Sequence, residues 1–83
     1  MKTTDTEVQN IDLIKSNMQN NVGKQIFIRE FNKQGKKLKE IQGEIISAYN
    51  SLFLVRINIK GNYINKSFSY VDFLTKEFVF EII

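Results

Sequence analysis

The 83-residue chain contains no cysteine and no histidine. Without cysteine, neither a disulfide framework nor a thiolate metal site is possible. Without histidine, the chain also lacks the commonest general base and the commonest metal ligand. We therefore expect no cofactor and no metal, and any catalytic interpretation has to do without an imidazole.

Long apolar runs are missing as well. The first ten residues, MKTTDTEVQN, have no apolar centre that could act as a signal peptide, and no segment approaches the length of a membrane span. These two absences predict a cytoplasmic protein with no membrane partner.

What the chain does contain indicates one small globular domain over residues 1–83. The composition is 42% hydrophobic and 25% charged, with seven Phe and three Tyr residues. A chain of this length has room for a single core and buries only roughly 60–65% of its unfolded surface. We predict that residues 1–5 are disordered, that residues 6–20 form a helix and that residues 23–83 form a β-barrel.

The clearest pattern lies in residues 49–70. Apolar and mostly polar residues alternate up to Gly61 and Asn62, which tolerate the positive φ angles of a two-residue turn. Folding the chain back at this dipeptide places Val55 opposite Phe68. The apolar residues that this register brings to one face are Phe53, Val55, Ile57, Ile59, Ile64, Phe68 and Tyr70.

The N-terminal helix, three further strands and a short 3₁₀ connection complete the prediction. The helix carries an apolar stripe and ends before Gly23, and Gly43 marks a bulge or tight bend inside a strand. The remaining strands are predicted over residues 23–31, 38–49 and 77–83, with a short 3₁₀ connection over residues 71–75. The fold class is therefore mainly β: an N-terminal α-helix, acting as a lid, followed by a five-stranded SH3-like or Sm-like small barrel.

Positive charge is concentrated in residues 24–39. This segment holds six basic residues and one acidic residue, a net charge of +5, whereas the whole chain carries +3. The basic residues are Lys24, Arg29, Lys33, Lys36, Lys37 and Lys39. They predict either an arm that follows the phosphates of nucleic acid, with Phe27, Phe31 and Tyr63 stacking on bases, or a solvated hairpin tip that protects a strand edge.

A hydroxyl-rich cluster near the carboxyl end is better explained by structure than by catalysis. Ser67, Ser69 and Asp72 lie close in sequence, but a nucleophile needs a base and the chain has no histidine. Asp72 suits a turn, and Tyr70 is expected to bury its ring and to hydrogen-bond its hydroxyl group at the barrel rim. We predict that the protein is not an enzyme.

Several of these segments resemble one family when they are taken together. The matching segments are Val22-Gly23-Lys24, Gly43-Glu44-Ile45, YNSLFLV at residues 49–55 and SFSYVDFLT at residues 67–75. They resemble the Veg family, small biofilm-formation stimulators of Gram-positive bacteria that were once a domain of unknown function. The resemblance covers residues 11–79, and the Ser-(Phe/Tyr)-Ser-Tyr-x-Asp-x-Leu-Thr run is its most specific part. The residues that we assign to structural motifs are Gly23, Gly43, Gly61, Asn62, Ser67, Tyr70 and Asp72.

The resemblance implies a barrel of the SH3 type, no catalytic residues, and a cytoplasmic regulatory role that raises expression of extracellular-matrix genes. One departure is that members often have Tyr-Pro-Ser where this chain has Tyr49-Asn50-Ser51, which makes the turn less rigid.

Two functional hypotheses follow. The first is a non-enzymatic regulatory protein of the Veg type that binds a protein or nucleic-acid partner. The second is a barrel that binds single-stranded RNA or DNA through the basic arm at residues 33–39. The last strand is apolar on both faces. We predict that the helix or a second subunit covers it, giving a homodimer.

Overall fold

The computed structural model describes residues 10–74 and 77–83. In this part of the chain one helix, α1 (Ile11–Asn20), precedes five strands. The strands are β1 (Gln25–Phe31), β2 (Lys37–Ala48), β3 (Leu52–Ile59), β4 (Asn62–Ser69) and β5 (Phe78–Ile82), with a 3₁₀ helix (Tyr70–Leu74) between β4 and β5. The predicted class, mainly β with an N-terminal helix, is confirmed. The predictions for residues 1–5 and for the helix over residues 6–9 lie outside the described part.

The helix α1 starts at Ile11, directly after Asn10, which was predicted to be helical. Asn10 has an extended backbone, and its Oδ1 atom accepts a hydrogen bond of 3.0 Å from the backbone N–H of Leu13, as an N-cap residue does. The helix buries Ile14 and Met18 completely and packs on β2 and the 3₁₀ helix. It therefore covers the sheet, as the sequence predicted.

The hairpin formed by β3 and β4 keeps the predicted face but not the predicted register. Phe53, not Val55, lies opposite Phe68, and Ile57 lies opposite Ile64. The predicted pairing is wrong by two residues. Because side chains alternate with a period of two, this shift leaves the same apolar residues on the core side.

The turn of this hairpin explains the shift. Its two central residues are Lys60 and Gly61, with φ angles of 52° and 88°, whereas the sequence predicted Gly61 and Asn62. Positive φ at both positions is the type I′ geometry, which matches the twist of the strands. The Oδ1 atom of Asn58 accepts a hydrogen bond of 2.9 Å from the Gly61 N–H, and Asn62 pairs with Ile59 as the first residue of β4.

The strands form one antiparallel sheet in the order β4-β3-β2-β1-β5. Strands β4 and β5 are its two edges, so the expected closure of the barrel by hydrogen bonds is not made among the residues described. Aromatic side chains fill the space between these edges instead. The ring centroid of Phe73, in the 3₁₀ helix, lies 5.7 Å from those of Phe78 and Phe80 of β5 and 6.4 Å from that of Phe68 of β4.

Gly43 allows β2 and β3 to approach each other closely. A Cβ atom added at this position would lie 2.5 Å from both the carbonyl oxygen of Arg56 and Cγ1 of Val55, distances that no side chain tolerates. The β-bulge itself lies two to four residues further along, between Ile45 and Ser47. The predicted bend at Gly43 is therefore a close strand contact followed by a bulge.

The core lies between α1, the inner face of the sheet and the 3₁₀ helix. Its buried members are Ile14, Met18, Ile26, Ile28, Ile45, Phe53, Val55, Ile57, Phe68, Tyr70 and Phe73. Tyr70 is fully buried, and its hydroxyl group donates a hydrogen bond of 2.7 Å to the carbonyl oxygen of Tyr49. This confirms the predicted role of Tyr70.

Tyr70→Phe tests this hydrogen bond and its dependence on pH. Burial raises the pKa of Tyr70, so the stability that the neutral phenol contributes is complete below the unfolded pKa, near 10, and is lost as the pH rises through the higher folded pKa. At neutral pH we expect the substitution to cost about 1 kcal/mol. Urea denaturation should also show a steeper loss of stability above pH ~10 in the unmodified chain than in the variant. Parallel profiles for the two proteins would contradict this expectation.

Candidate functional site

The six basic residues of the predicted arm do not form one surface. Lys24 lies just before β1, whereas Lys33 and Lys36 lie in the loop that follows it. The intervening strand of seven residues separates them by about 20 Å. Only the residues at the β1–β2 loop therefore remain as a compact basic group.

Two of the remaining cations are paired with carboxylates on the outer face of the sheet. Arg29 Nε lies 3.2 Å from Glu40 Oε2, and its Nη1 lies 3.4 Å from Glu81 Oε1. Lys37 Nζ lies 3.2 Å from Glu40 Oε1. The hydrogen bond from Lys37 lowers the pKa of Glu40, so this carboxylate is charged at neutral pH and compensates both cations.

The β1–β2 loop is held in one conformation by hydrogen bonds from its backbone to the Asn32 side chain. Asn32 Oδ1 accepts hydrogen bonds of 2.9 Å from the N–H groups of Gln34 and Lys36, and Gly35 has a φ angle of 86°. Lys33 and Lys36 are exposed here and form no ion pair with any residue the structure describes. The loop thus presents two available ammonium groups on an ordered turn.

Lys39 lies on the opposite, inner side of the sheet. It pairs with Glu30 across the β1–β2 ladder and, with Lys66 of β4, lines a cavity of about 170 Å³ between the two sheet edges. Burial lowers the pKa of Lys66, the charge of Lys39 lowers it further, and Glu30 opposes this effect. Two ammonium groups therefore face one partly apolar cavity.

Lys66→Met tests the cost of this arrangement. A lysine with a lowered folded pKa destabilises the fold while it is charged; the cost is complete below the folded pKa and disappears as the pH rises to the ordinary value of 10.5. We expect Lys66→Met to raise the free energy of unfolding at pH 7 by less than about 1 kcal/mol, because solvent screens the partly exposed ammonium group. The contact of Lys66 Nζ with the Phe68 ring, 5.7 Å from the centroid, is lost at the same time and offsets part of the gain. Urea denaturation of Lys36→Met, an exposed loop position, provides the control and should show no gain.

A groove opens where β2 and β3 stop pairing. Their ladder ends at the pair Gly43–Ile57; beyond it β2 continues beside β1 and β3 continues beside β4. The two strands diverge around a groove of about 750 Å³. Its walls are formed by residues 39–44 of β2 and residues 56–59 of β3, together with Gln25 and Tyr63.

The groove combines an apolar side with a polar side. Ile41, Ile57 and Ile59 belong to the inner face of the sheet, and Ile59 is 50% exposed. On the outer face, the guanidinium carbon of Arg56 lies 5.3 Å from the ring centroid of Tyr63, and Arg56 Nη2 lies 2.8 Å from Glu44 Oε1. A chain segment lying in the groove would contact both kinds of side chain.

The comparison with known proteins agrees with the resemblance drawn from the motifs. A family model described as biofilm formation stimulator VEG matches residues 9–81 of the chain. The chain belongs to the Veg family. No curated protein matches it. The family description names the stimulation of biofilm formation.

In this Veg-family chain the described part of the most specific motif, residues 67–74, completes the core. Ser67 is exposed on β4, and Asp72 lies in the 3₁₀ helix. The Oγ atom of Ser69 accepts a hydrogen bond of 3.3 Å from the N–H of Val71. Tyr70 and Phe73 are buried, so the run has a clear structural function.

The structure of this Veg-family chain also shows what sequence reasoning missed. The groove was not predicted, because the alternation of apolar residues assigned Ile57 and Ile59 to the core of a closed barrel. Of the three aromatic residues proposed to stack on bases, Phe27 and Phe31 are partly buried and only Tyr63 is exposed. Gly43 was the sequence signal that could have indicated the groove, since a glycine inside a strand marks a close approach of backbones.

In the part that is described, no helix has the length and apolar character needed to cross a membrane.

Proposed function

We propose that this Veg-family protein is a non-enzymatic cytoplasmic regulator that stimulates biofilm formation and extracellular-matrix gene expression by binding a macromolecular partner. The family match over residues 9–81 carries the proposal. The binding surface that we assign to the protein is the groove end of the sheet, by which we mean the groove between β2 and β3 and the adjoining β1–β2 loop. It offers the exposed apolar side chain of Ile59 and the available lysines Lys33 and Lys36.

The distribution of charge favours a protein partner over nucleic acid. A phosphate backbone demands several uncompensated cations, each of which releases counterions on binding. Arg29 and Lys37 are already paired with carboxylates, and Lys24 lies at the far end of β1. The cations that remain near the groove suit a small acidic region of a protein better than a continuous phosphate track.

Capture from native cell extract, with and without nuclease treatment, tests this proposal. Lys36→Glu and the matched variant Lys24→Glu reverse the same charge at opposite ends of β1, both at exposed positions. We expect Lys36→Glu to lower partner capture by roughly tenfold, the effect of about 1.4 kcal/mol, and to impair biofilm formation in a strain that depends on it. Lys24→Glu should leave both unchanged.

Two results would contradict the proposal. Equal loss for both variants would mean that overall charge, not the groove end, governs binding. Complete loss of capture after nuclease treatment would favour the alternative, binding of single-stranded RNA or DNA through residues 33–39.

A further inference from the structure

We infer that the groove between β2 and β3 accepts an extended segment of an acidic partner protein, which adds to the free edge of β2 as a further strand. The inference rests on the proposed partner-binding function and specifies the chemistry of that partner. It depends on three independent properties of the groove: its backbone edges, its side-chain lining and the charge at its open end.

The backbone of β2 directs hydrogen-bonding groups into the groove beyond its last bond to β3. Ile45 turns its N–H and C=O toward β1, because it donates to Lys24 O at 3.0 Å and accepts from Gly23 N at 2.7 Å. Successive residues of an antiparallel strand turn these groups to opposite edges, and the register from Glu44 to Lys39 has no shift. Glu40 and Gln42 therefore direct their backbone groups toward β3. Because Gly43 turns its backbone groups toward β1, the last β2–β3 pair, Gly43–Ile57, is flanked by a hydrogen bond from the Asn58 N–H to the Gln42 C=O. The Gln42 N–H and both backbone groups of Glu40 lie beyond this bond and are left for an added strand.

The lining of the groove matches the alternation of a strand. Side chains of an inserted strand would point alternately to the two faces of the sheet. On the inner face they would meet Ile41, Ile57 and Ile59, and on the outer face they would meet Gln42 and Asn58. A segment with apolar residues at every second position and polar residues between them fits both sides.

The open end of the groove is basic. The β1–β2 loop and the β3–β4 turn lie at the same end of the sheet, because β2 begins where β3 ends. They present Lys33, Lys36 and Lys60, none of which forms an ion pair within the described ranges 10–74 and 77–83. Glu40 and Glu44, the nearest acidic residues of the groove, are paired with Lys37, Arg29 and Arg56. The end of the inserted segment that lies here should carry Asp or Glu.

Strand addition also separates a protein partner from a nucleic acid. Main-chain hydrogen bonds supply the affinity in this binding mode, and pockets for alternate side chains supply the specificity. A sugar-phosphate backbone lacks the regular N–H donors that pair with the edge of β2, so a groove of this kind selects polypeptide.

Random seven-residue peptides displayed on phage provide the probe. They would be selected on the immobilised full-length protein, and the enriched peptides synthesised with a fluorescent label. We expect apolar residues at alternate positions and an acidic residue at one end. Each peptide would also be made in two N-methylated forms, with methyl groups on the amides of odd or of even residues. One form should lose at least tenfold in affinity and the other should retain it.

A pair of variants places the peptide in the groove. Ile59→Ser removes an apolar side chain from the groove, whereas Val79→Ser makes a comparable change on β5, where Val79 is 43% exposed and faces away from the core. We expect Ile59→Ser to weaken peptide binding at least tenfold and Val79→Ser to leave it unchanged, with circular dichroism showing that both are folded. Hydrogen exchange of the Glu40 and Gln42 amides should slow at least tenfold on binding.

Four results would overturn the inference. They are no enrichment over the bare support, equal binding of both N-methylated forms, equal binding of both serine variants, and protection of the β2 amides by concentration-dependent self-association without peptide. The last would mean that a second copy of the chain occupies the groove. If native-cell capture succeeds but Ile59→Ser captures as much as the unmodified chain, the groove assignment fails and the proposed function stands. If peptides bind as expected but native-cell capture yields no partner, the proposed function fails instead.

Discussion

Replacing Phe73 with alanine is expected to lower the free energy of unfolding by about 3–5 kcal/mol. Phe73 is only 6% exposed, and its ring lies 5.7 Å from those of Phe53, Phe78 and Phe80. It bridges the two edges of a sheet that hydrogen bonds do not close. For 83 residues a total stability of about 4–12 kcal/mol is ordinary. At the low end of this range the loss would leave much of the protein unfolded at room temperature, and at the high end it would remove about a third of the stability.

A neighbour in the same 3₁₀ helix provides the control. Val71 is 52% exposed, and Val71→Ala should change the stability by less than about 1 kcal/mol. Urea denaturation followed by far-UV circular dichroism would measure both variants. A similar loss for the two would show that the 3₁₀ helix itself, and not the aromatic contact, holds the edges together.

Replacing Gly43 with alanine is expected to destabilise the protein by about 1–3 kcal/mol. The added methyl group would lie 2.5 Å from the carbonyl oxygen of Arg56 and from Cγ1 of Val55. Because one of these atoms belongs to the backbone of β3, a side-chain rotation cannot relieve the contact, and the strands have to separate. Each kcal/mol lost should lower the melting temperature by roughly 4–8 °C in a domain of this size.

The matched position for this change is Gly35. An added Cβ meets no atom within 4 Å there, although the φ angle is 86°. Asparagine tolerates this left-handed conformation better than other residues, so Gly35→Asn should cost less than about 1 kcal/mol. If thermal denaturation ranks Gly35→Asn as the more harmful change, the close strand contact at Gly43 is not limiting.

The sequence predicts the strands of this fold well because their signal is local. Alternation of apolar side chains places every strand within two residues of its observed bounds. The same signal cannot distinguish registers that differ by two, since both bury the same face. The observed register is favoured by the Asn58 side chain, whose Oδ1 atom accepts a hydrogen bond from the Gly61 N–H. The turn therefore lies one residue closer to the N-terminus than predicted.

Closure of the barrel and the state of the basic segment depend on contacts distant in sequence. Whether β4 meets β5 is decided by the 3₁₀ helix, which places Phe73 between them. Arg29 reads as a free cation until the pairing of β1 with β5 brings Glu81, fifty-two residues away, within 3.4 Å. Local composition carries no information about such partners, and for this reason a cluster of basic residues in sequence became separate groups in space.

The order β4-β3-β2-β1-β5 has a consequence for how the chain folds. The pairings among β1 to β4 join only strands that are neighbours in sequence, so three short hairpins can assemble in turn with little loss of chain entropy. Strand β5 must instead find β1 across roughly fifty residues, and it gains its aromatic contacts only on arrival. Docking of β5 should therefore be the late step of folding, and substitutions such as Phe80→Leu should accelerate unfolding far more than they slow refolding.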